Sequence, residues 1–171
     1  MKLCLLAPLP SEHVADALAV SKTVGVVALG TGDMAKEDGG VHMFEFFNQI
    51  ALSGLMGELP VYIQVSLSGR KAPAPFFVGQ KASMVGTLLS YDGADNFGRH
   101  KKPEERPASA IKIDTPLGGF WRVANLAMLP ADGYLDLAKF RAARNVKSIP
   151  VQGDKIDHIL QGPILAFAPE K

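Results

Sequence analysis

Two hydrophobic periods alternate along the first third of the chain, and one of them dominates the middle. Lys2–Ala7 is a short apolar run that reads as a strand closed by Pro8 and Pro10. Ser11 stands where a helix cap is expected, with Glu12 in the first turn and Val14, Ala15, Leu18 and Ala19 on one helical face. Thr23–Leu29 is rich in Val and predicts a buried strand, so the chain opens as strand, helix, strand before "GTGDMAKEDGG" interrupts it. The following segment, 42–56, is too long for a strand. Glu45, Asn48, Gln49 and Ser53 make one polar stripe on it, and Met43, Phe44, Phe46, Phe47, Ile50, Ala51, Leu55 and Met56 cover most of the rest, which predicts a helix in the core or at an interface.

After Pro60 the period becomes two. "VYIQVSLS" sets Val61, Ile63, Val65 and Leu67 against Tyr62, Gln64, Ser66 and Ser68, and "ASMVGTLLSY", "SAIKID" and "FWRVANLAML" continue as strands between Gly- and Pro-containing loops. This predicts a mostly antiparallel meander of four strands. Next, "DLAKFRAARN" reads as a short helix ending at Asn145 and "SIPV" as an extended segment. "GDKIDHILQG" reads as a helix with Asp154 as cap and Gly162 past its end, and "PILAFA" as a last strand. The expectation is an α+β fold in a single domain over residues 1–171, a small twisted sheet or β-barrel of about six strands with flanking helices.

Composition narrows the function classes. With 47% apolar and 20% charged residues the 171-residue chain can bury a sizeable core, and its formal charge of +1 supplies no global field toward nucleic acid or an anionic membrane. Any nucleic-acid site must be a local patch. A single Cys4 excludes an intramolecular disulfide, and no apolar run approaches the roughly 18 residues of a membrane span. The opening apolar stretch is too short for a signal segment, so a soluble, cytoplasmic protein is expected.

Catalytic motifs find little support. Gly30-x-Gly32-x-x-Ala35 follows a strand as a dinucleotide-binding turn would, but two glycines occupy the place where its helix should begin, and the next strand ends without an acidic residue for a ribose. A Gly-rich turn accounts for it, and no cofactor is expected. His13, His42, His100 and His158 stand far apart; His42 and Glu45 share a helix face, yet no second such pair exists to complete a metal centre. Cys4, in an apolar strand, is a poor nucleophile. Asp154, Asp157 and His158 are explained by capping and solvated charge, no Ser sits in a nucleophile elbow, and the balance leans away from an enzyme.

The order of "KLCLLAP", a helix opening at Ser11, "VGVVALG", a further helix, "LPVYIQVSLSG", "SMVGTLLS", a long polar loop and "GFWRVANLAMLP" resembles the PUA-like superfamily, especially its EVE and YTH-like branches. "LDLAKFRAARNVKSIPVQGDKIDHILQG" is similar to the close of those domains, so the resemblance spans nearly the whole chain. It implies a small barrel that reads DNA or RNA, in some members by taking one base, often methylated, into an aromatic pocket. The pocket candidates are Thr31, Asp33, Tyr91, Phe97 and Trp121; the strand 24–28, where those branches commonly carry a pocket aromatic, has none. For Trp121, beside Phe120, a core role is the alternative.

The polar run "SYDGADNFGRHKKPEERPAS", residues 90–109, carries the candidate phosphate contacts Arg99, Lys101 and Lys102, with Arg70 and Lys71 as a second patch. Its four Lys and Arg residues are matched by Asp92, Asp95, Glu104 and Glu105, so a solvated hairpin tip competes with a phosphate-binding role. A reading of another class stands beside the nucleic-acid one, an assembly protein, a homo-oligomer or part of a larger complex, joined through the apolar 42–56 helix; less expected are a small enzyme and an oligonucleotide-binding barrel, which the strand-helix-strand opening fits poorly.

Overall fold

A computed structural model of the chain describes residues 1–30, 37–66, 80–111, 119–146, 149–157, 160 and 162–170, the side chains at 37–44, 110–111 and 145–146 excepted. The fold is α+β. Its strands are β1 (Lys2–Pro10), β2 (Val26–Leu29), β3 (Pro60–Ser66), β4 (Lys81–Gly93), β5 (Gly119–Met128), β6 (Leu135–Asp136), β7 (Arg141–Val146), β8 (Ile149–Lys155) and β9 (Ile164–Ala168). The helices are α1 (Val14–Val24), α2 (Glu37–Leu52) and the single turn α3 (Ala108–Ile111). Hydrogen bonding orders the strands β2-β5-β4-β3-β1-β9-β7-β8, with β6 on β4. Among the described residues this path does not close on itself. The expected six-strand barrel is therefore replaced by a largely open mixed sheet of nine described strands, in which β1 and β3 run parallel and β1 and β9 antiparallel.

Contacts group the chain into two compact units. The first comprises Met1–Val14, Pro60–Val85 and Ala127–Lys171. Here β1 has a neighbour on each side, and Cys4, Leu5, Leu6 and Ala7 are all fully buried, as expected of an interior strand apolar on both faces. Cys4 and Leu6 join Ala82, Leu137, Phe140, Ile156, Leu160, Ala166 and Ala168 in one core cluster. The strand does not stop at Pro8. It runs to Pro10 because β9 ends opposite Leu6, so beyond that point only β3 needs hydrogen bonds, and the two prolines fall on alternate positions. On β3, Val61 and Ile63 are buried as the alternation predicts, but Gln64 is buried too, its amide donating to the Gln80 side chain.

Neither C-terminal helix expected from the sequence forms among the described residues, and 158, 159 and 161 lie outside them. "DLAKFRAARN" forms β6, a 3-10 turn (Leu137–Lys139) and β7, and Gly153-Asp154-Lys155 lies in β8 instead of opening a helix. Strand β7 is held between β8 and β9, a tertiary pairing that overrides a helix-like local pattern. Gly153 is needed at this seam: a Cβ there would lie 2.8 Å from the Ala142 carbonyl oxygen.

The second unit comprises Ala15–Leu59 and Gly86–Leu126. Ser11–His13 is a 3-10 turn before α1, whose buried side is Ala17 and Ser21 instead of the Val14/Ala15/Leu18/Ala19 face. Gly25, at φ 88°, ends α1 with its N–H on the Ser21 carbonyl, so Thr23 and Val24 belong to the helix and β2 starts only at Val26. The opening strand, helix, strand run builds no paired βαβ unit, because β2 pairs with β5. Helix α2 stops at Leu52, four residues short of the expected end, where Gly54 and Gly57 adopt positive φ. Its described residues bury Phe47 and Ile50, while Leu52 is 74% exposed, so the exposed face is wider than the polar stripe implied. "SAIKID" does not begin as a strand: Ser109–Ile111 belong to α3, and 112–114 lie outside the described residues. Among the described residues no helix is long and apolar enough to cross a membrane.

Candidate functional site

Strand β5 carries a cation in an otherwise apolar run, and that cation organises the polar loop between β4 and α3. Phe120, Trp121 and Val123 are buried, so the Arg122 guanidinium, 17% exposed at its side chain, must find an anion. Glu105 supplies it from the 3-10 turn Pro103–Glu105, which packs against β2. Arg122 donates through Nε to Glu105 Oε1 at 2.7 Å and through a terminal nitrogen to Oε2 at 2.8 Å, a bidentate fork, and also to Ser90 Oγ at 3.1 Å. Asp92 lies 3.8 Å from the same guanidinium.

His100 completes the cluster from inside the loop. Its ring is 1% exposed, Nε2 sits 2.8 Å from Glu105 Oε1, and the Phe120 ring lies 5.6 Å away. Facing a carboxylate, Nε2 is the nitrogen that donates, and buried Nδ1 has no partner among the described residues. The Arg122 hydrogen bonds hold the Glu105 carboxyl below the usual carboxylate range against the opposing effect of burial, and His100 adds to this. The same pairing raises Arg122 further above neutrality.

A second set of bonds fixes the loop's tip. Asp95 Oδ1 accepts the N–H groups of Phe97 at 2.8 Å and Arg99 at 3.0 Å, and the Asp95 N–H donates to the Arg99 carbonyl at 2.8 Å. Gly98, at φ 73°, makes the reversal possible. Those N–H bonds, Arg99 first, lower the Asp95 carboxyl below its ordinary value. Arg106 donates twice to the His100 carbonyl and stands 3.7 Å from Asp95. The loop is thus ordered by its own hydrogen bonds, and it keeps Asn96, Phe97, Lys101, Lys102 and Glu104 exposed.

The sequence candidates separate on this framework. Phe97 is 80% exposed, Lys101 and Lys102 are exposed, and Arg99 is half-buried. Tyr91 and Trp121 are brought together, but by Phe47: its ring stacks on Tyr91 at 4.6 Å with an interplanar angle of 6°, and on Trp121 at 6.5 Å and 19°. Trp121 is 1% exposed and Tyr91 half-buried, its phenol pushed up by burial. Thr31, Asp33, Arg70 and Lys71 lie outside the described residues.

Sequence reasoning missed His100, Glu105 and Arg122 as a unit, and Asp95 as the keystone of the tip. Two signals were present: an Arg inside an apolar strand, which demands a carboxylate, and Asp95-Asn96-Phe97-Gly98, a composition suited to a side-chain-capped turn. Among the described residues no three His, Cys, Asp or Glu side chains gather as a metal site. The chain matches no protein-family model, no curated protein and no solved structure.

Proposed function

We propose that the protein binds nucleic acid through the outer face of the loop 94–106. The observation that carries this reading is the sorting of charge along the polar run 90–109. Of its four acidic side chains, Glu105 is consumed by Arg122 and His100, Asp95 by backbone N–H groups and Arg106, and Asp92 lies against Arg122. Glu104 stays exposed, while Lys101 and Lys102 are exposed beside it. A segment neutral by count therefore turns a cationic, partly aromatic face to solvent, the chemistry that meets phosphates and bases. The loop is also pre-ordered by its own bonds, so binding pays little ordering entropy. The resemblance of segment order to the PUA-like superfamily points the same way.

Fluorescence anisotropy with labelled DNA and RNA strands of about 12 nucleotides, at low salt, tests the reading. Wild type should bind, and Lys101→Ala with Lys102→Ala should make the dependence of log affinity on log salt shallower by about 1.4, near 0.7 for each phosphate of a single strand that is no longer neutralised. An unchanged slope removes these two lysines from the site.

The second reading, an assembly protein, is supported by Leu52, 74% exposed on α2, and Ile149, 65% exposed on β8. In that case the solution mass is a multiple of the 18.2 kDa chain and Leu52→Asp lowers it.

A further inference from the structure

We infer, as a refinement resting on the loop reading above, that the ligand is single-stranded and that one of its bases stacks on the exposed Phe97 ring instead of entering a pocket. The aromatic faces that a captured base would need are already used. Phe47 lies parallel to Tyr91 and to Trp121, and Phe46 packs edge-on against Phe47 with ring centroids 5.1 Å apart, so these rings serve one another as core. Phe97 stands apart from that economy. The Phe97 ring stands 80% in water at the tip of a loop whose described bonds run from Asp95, its backbone neighbours and Arg106, so the ring is open to a ligand.

The setting of that ring selects the ligand. Lys101 and Lys102 follow four and five residues later, exposed, so phosphates can be held near a base lying on Phe97. A single strand offers unpaired bases with free faces. In a duplex each base already stacks on its neighbours, and parting them costs at least what one ring returns. Duplex DNA should therefore meet only the lysines. Base identity should matter little, since every base has a face, and the Asp95 carboxylate beside the ring is occupied by its own loop.

The test compares wild type, Phe97→Ala and Phe97→Trp against a mixed-sequence single strand and its duplex of the same length, each titrated over salt. The single strand should bind at least tenfold more tightly than the duplex. Phe97→Ala should weaken single-strand binding by roughly 5- to 100-fold at unchanged salt slope and leave the duplex unaffected. Phe97→Trp should restore binding, with its indole emission quenched on addition of the single strand, against a background from the buried Trp121. Phe97 is exposed, so these variants should fold and melt as wild type does. Equal binding of duplex and single strand, or wild-type affinity in Phe97→Ala, overturns the stacking inference while nucleic-acid binding stands. Absence of binding to every strand at low salt overturns the loop reading and the inference together.

Discussion

Replacing Glu105 by Gln removes one charge and keeps the shape, and the structure says what that does. The carboxylate accepts from three donors: Arg122 Nε and His100 Nε2 on Oε1, and an Arg122 terminal nitrogen on Oε2. A glutamine offers one oxygen and one NH2 group, so whichever way the amide turns, a donor faces a donor. If the NH2 replaces Oε2 it meets the Arg122 terminal nitrogen; if it replaces Oε1 it meets Arg122 Nε, and His100 must shift its proton to Nδ1. Removing one partner of a buried ion pair typically costs ~3–5 kcal/mol. The lower end applies here, because Arg122 keeps Asp92 at 3.8 Å and Ser90 at 3.1 Å and its side chain is 17% exposed.

An expected loss of about 3 kcal/mol, at a urea slope of about 2 kcal/mol per molar, lowers the unfolding midpoint by about 1.5 M. Fluorescence of the single Trp121, the neighbour of Arg122, reports the transition. A midpoint shift below about 0.5 M, or less than ~1 kcal/mol, would show that Glu105 is effectively solvated and that the cluster does not organise the loop. A double-mutant cycle with His100→Gln should give a coupling energy of about 1 kcal/mol, and a coupling near zero would place His100 outside the network.

Other outcomes follow from the same geometry. Because the folded Glu105 and Asp95 carboxyls titrate below their unfolded values near 4, the stability they supply is complete above about pH 5 and is lost as pH falls through the folded values. Glu105→Gln should therefore flatten the stability profile below pH 5, and an unchanged profile in acid titrations would contradict the assignment. Gly86→Ala on β4 sets a Cβ 2.5 Å from Val123 Cγ1 and 3.0 Å from the Ala124 carbonyl oxygen, and thermal melting should show a loss of ~1–3 kcal/mol. Asn125, at φ 55° within β5, should tolerate Gly, whereas Val should cost ~1–2 kcal/mol in the same melt. The Cys4 thiol, fully buried and pushed up to about 12 by desolvation, should resist an aromatic disulfide reagent until the protein is unfolded; rapid labelling of the native protein would mean that β1 opens.

What the sequence made legible is what a local window can see. The alternation of Val61 and Ile63 and the long apolar runs of β4 and β5 were readable, because burial on one face imposes a period of two wherever the partner strand lies. Strand β7 was not. Leu137, Phe140 and the neighbouring alanines fit a helical face, and Ala and Arg favour helices, but the structure buries Leu137 and Phe140 against Ile156 and Leu160 and draws the alanines between β8 and β9. Nothing local announces those partners. Likewise the βαβ-like opening could not reveal that β2 pairs with β5, a strand some ninety residues away.

The loop exposes a different limit. Counting charges over residues 90–109 gives zero, and zero argues for a solvated tip. Yet a count treats every carboxylate alike, while folding divides them by position: Glu105 is buried on Arg122 and Asp95 pairs with Arg106, while Lys101 and Lys102 stay exposed with Glu104. Arg122 lies outside the counted segment, on a strand that reads as hydrophobic, so no tally of the loop could include it. The residue that decides the loop's surface charge thus lies outside the loop. It follows that Arg122→Met, which removes the inward cation, should do more than destabilise: it frees Glu105 to turn outward and oppose Lys101 and Lys102. Where that variant still folds, its affinity for a single strand at low salt should fall although none of the residues proposed to touch the ligand has changed. Unaltered affinity in the folded variant would show that the Arg122–Glu105 pair has no part in setting the outer face.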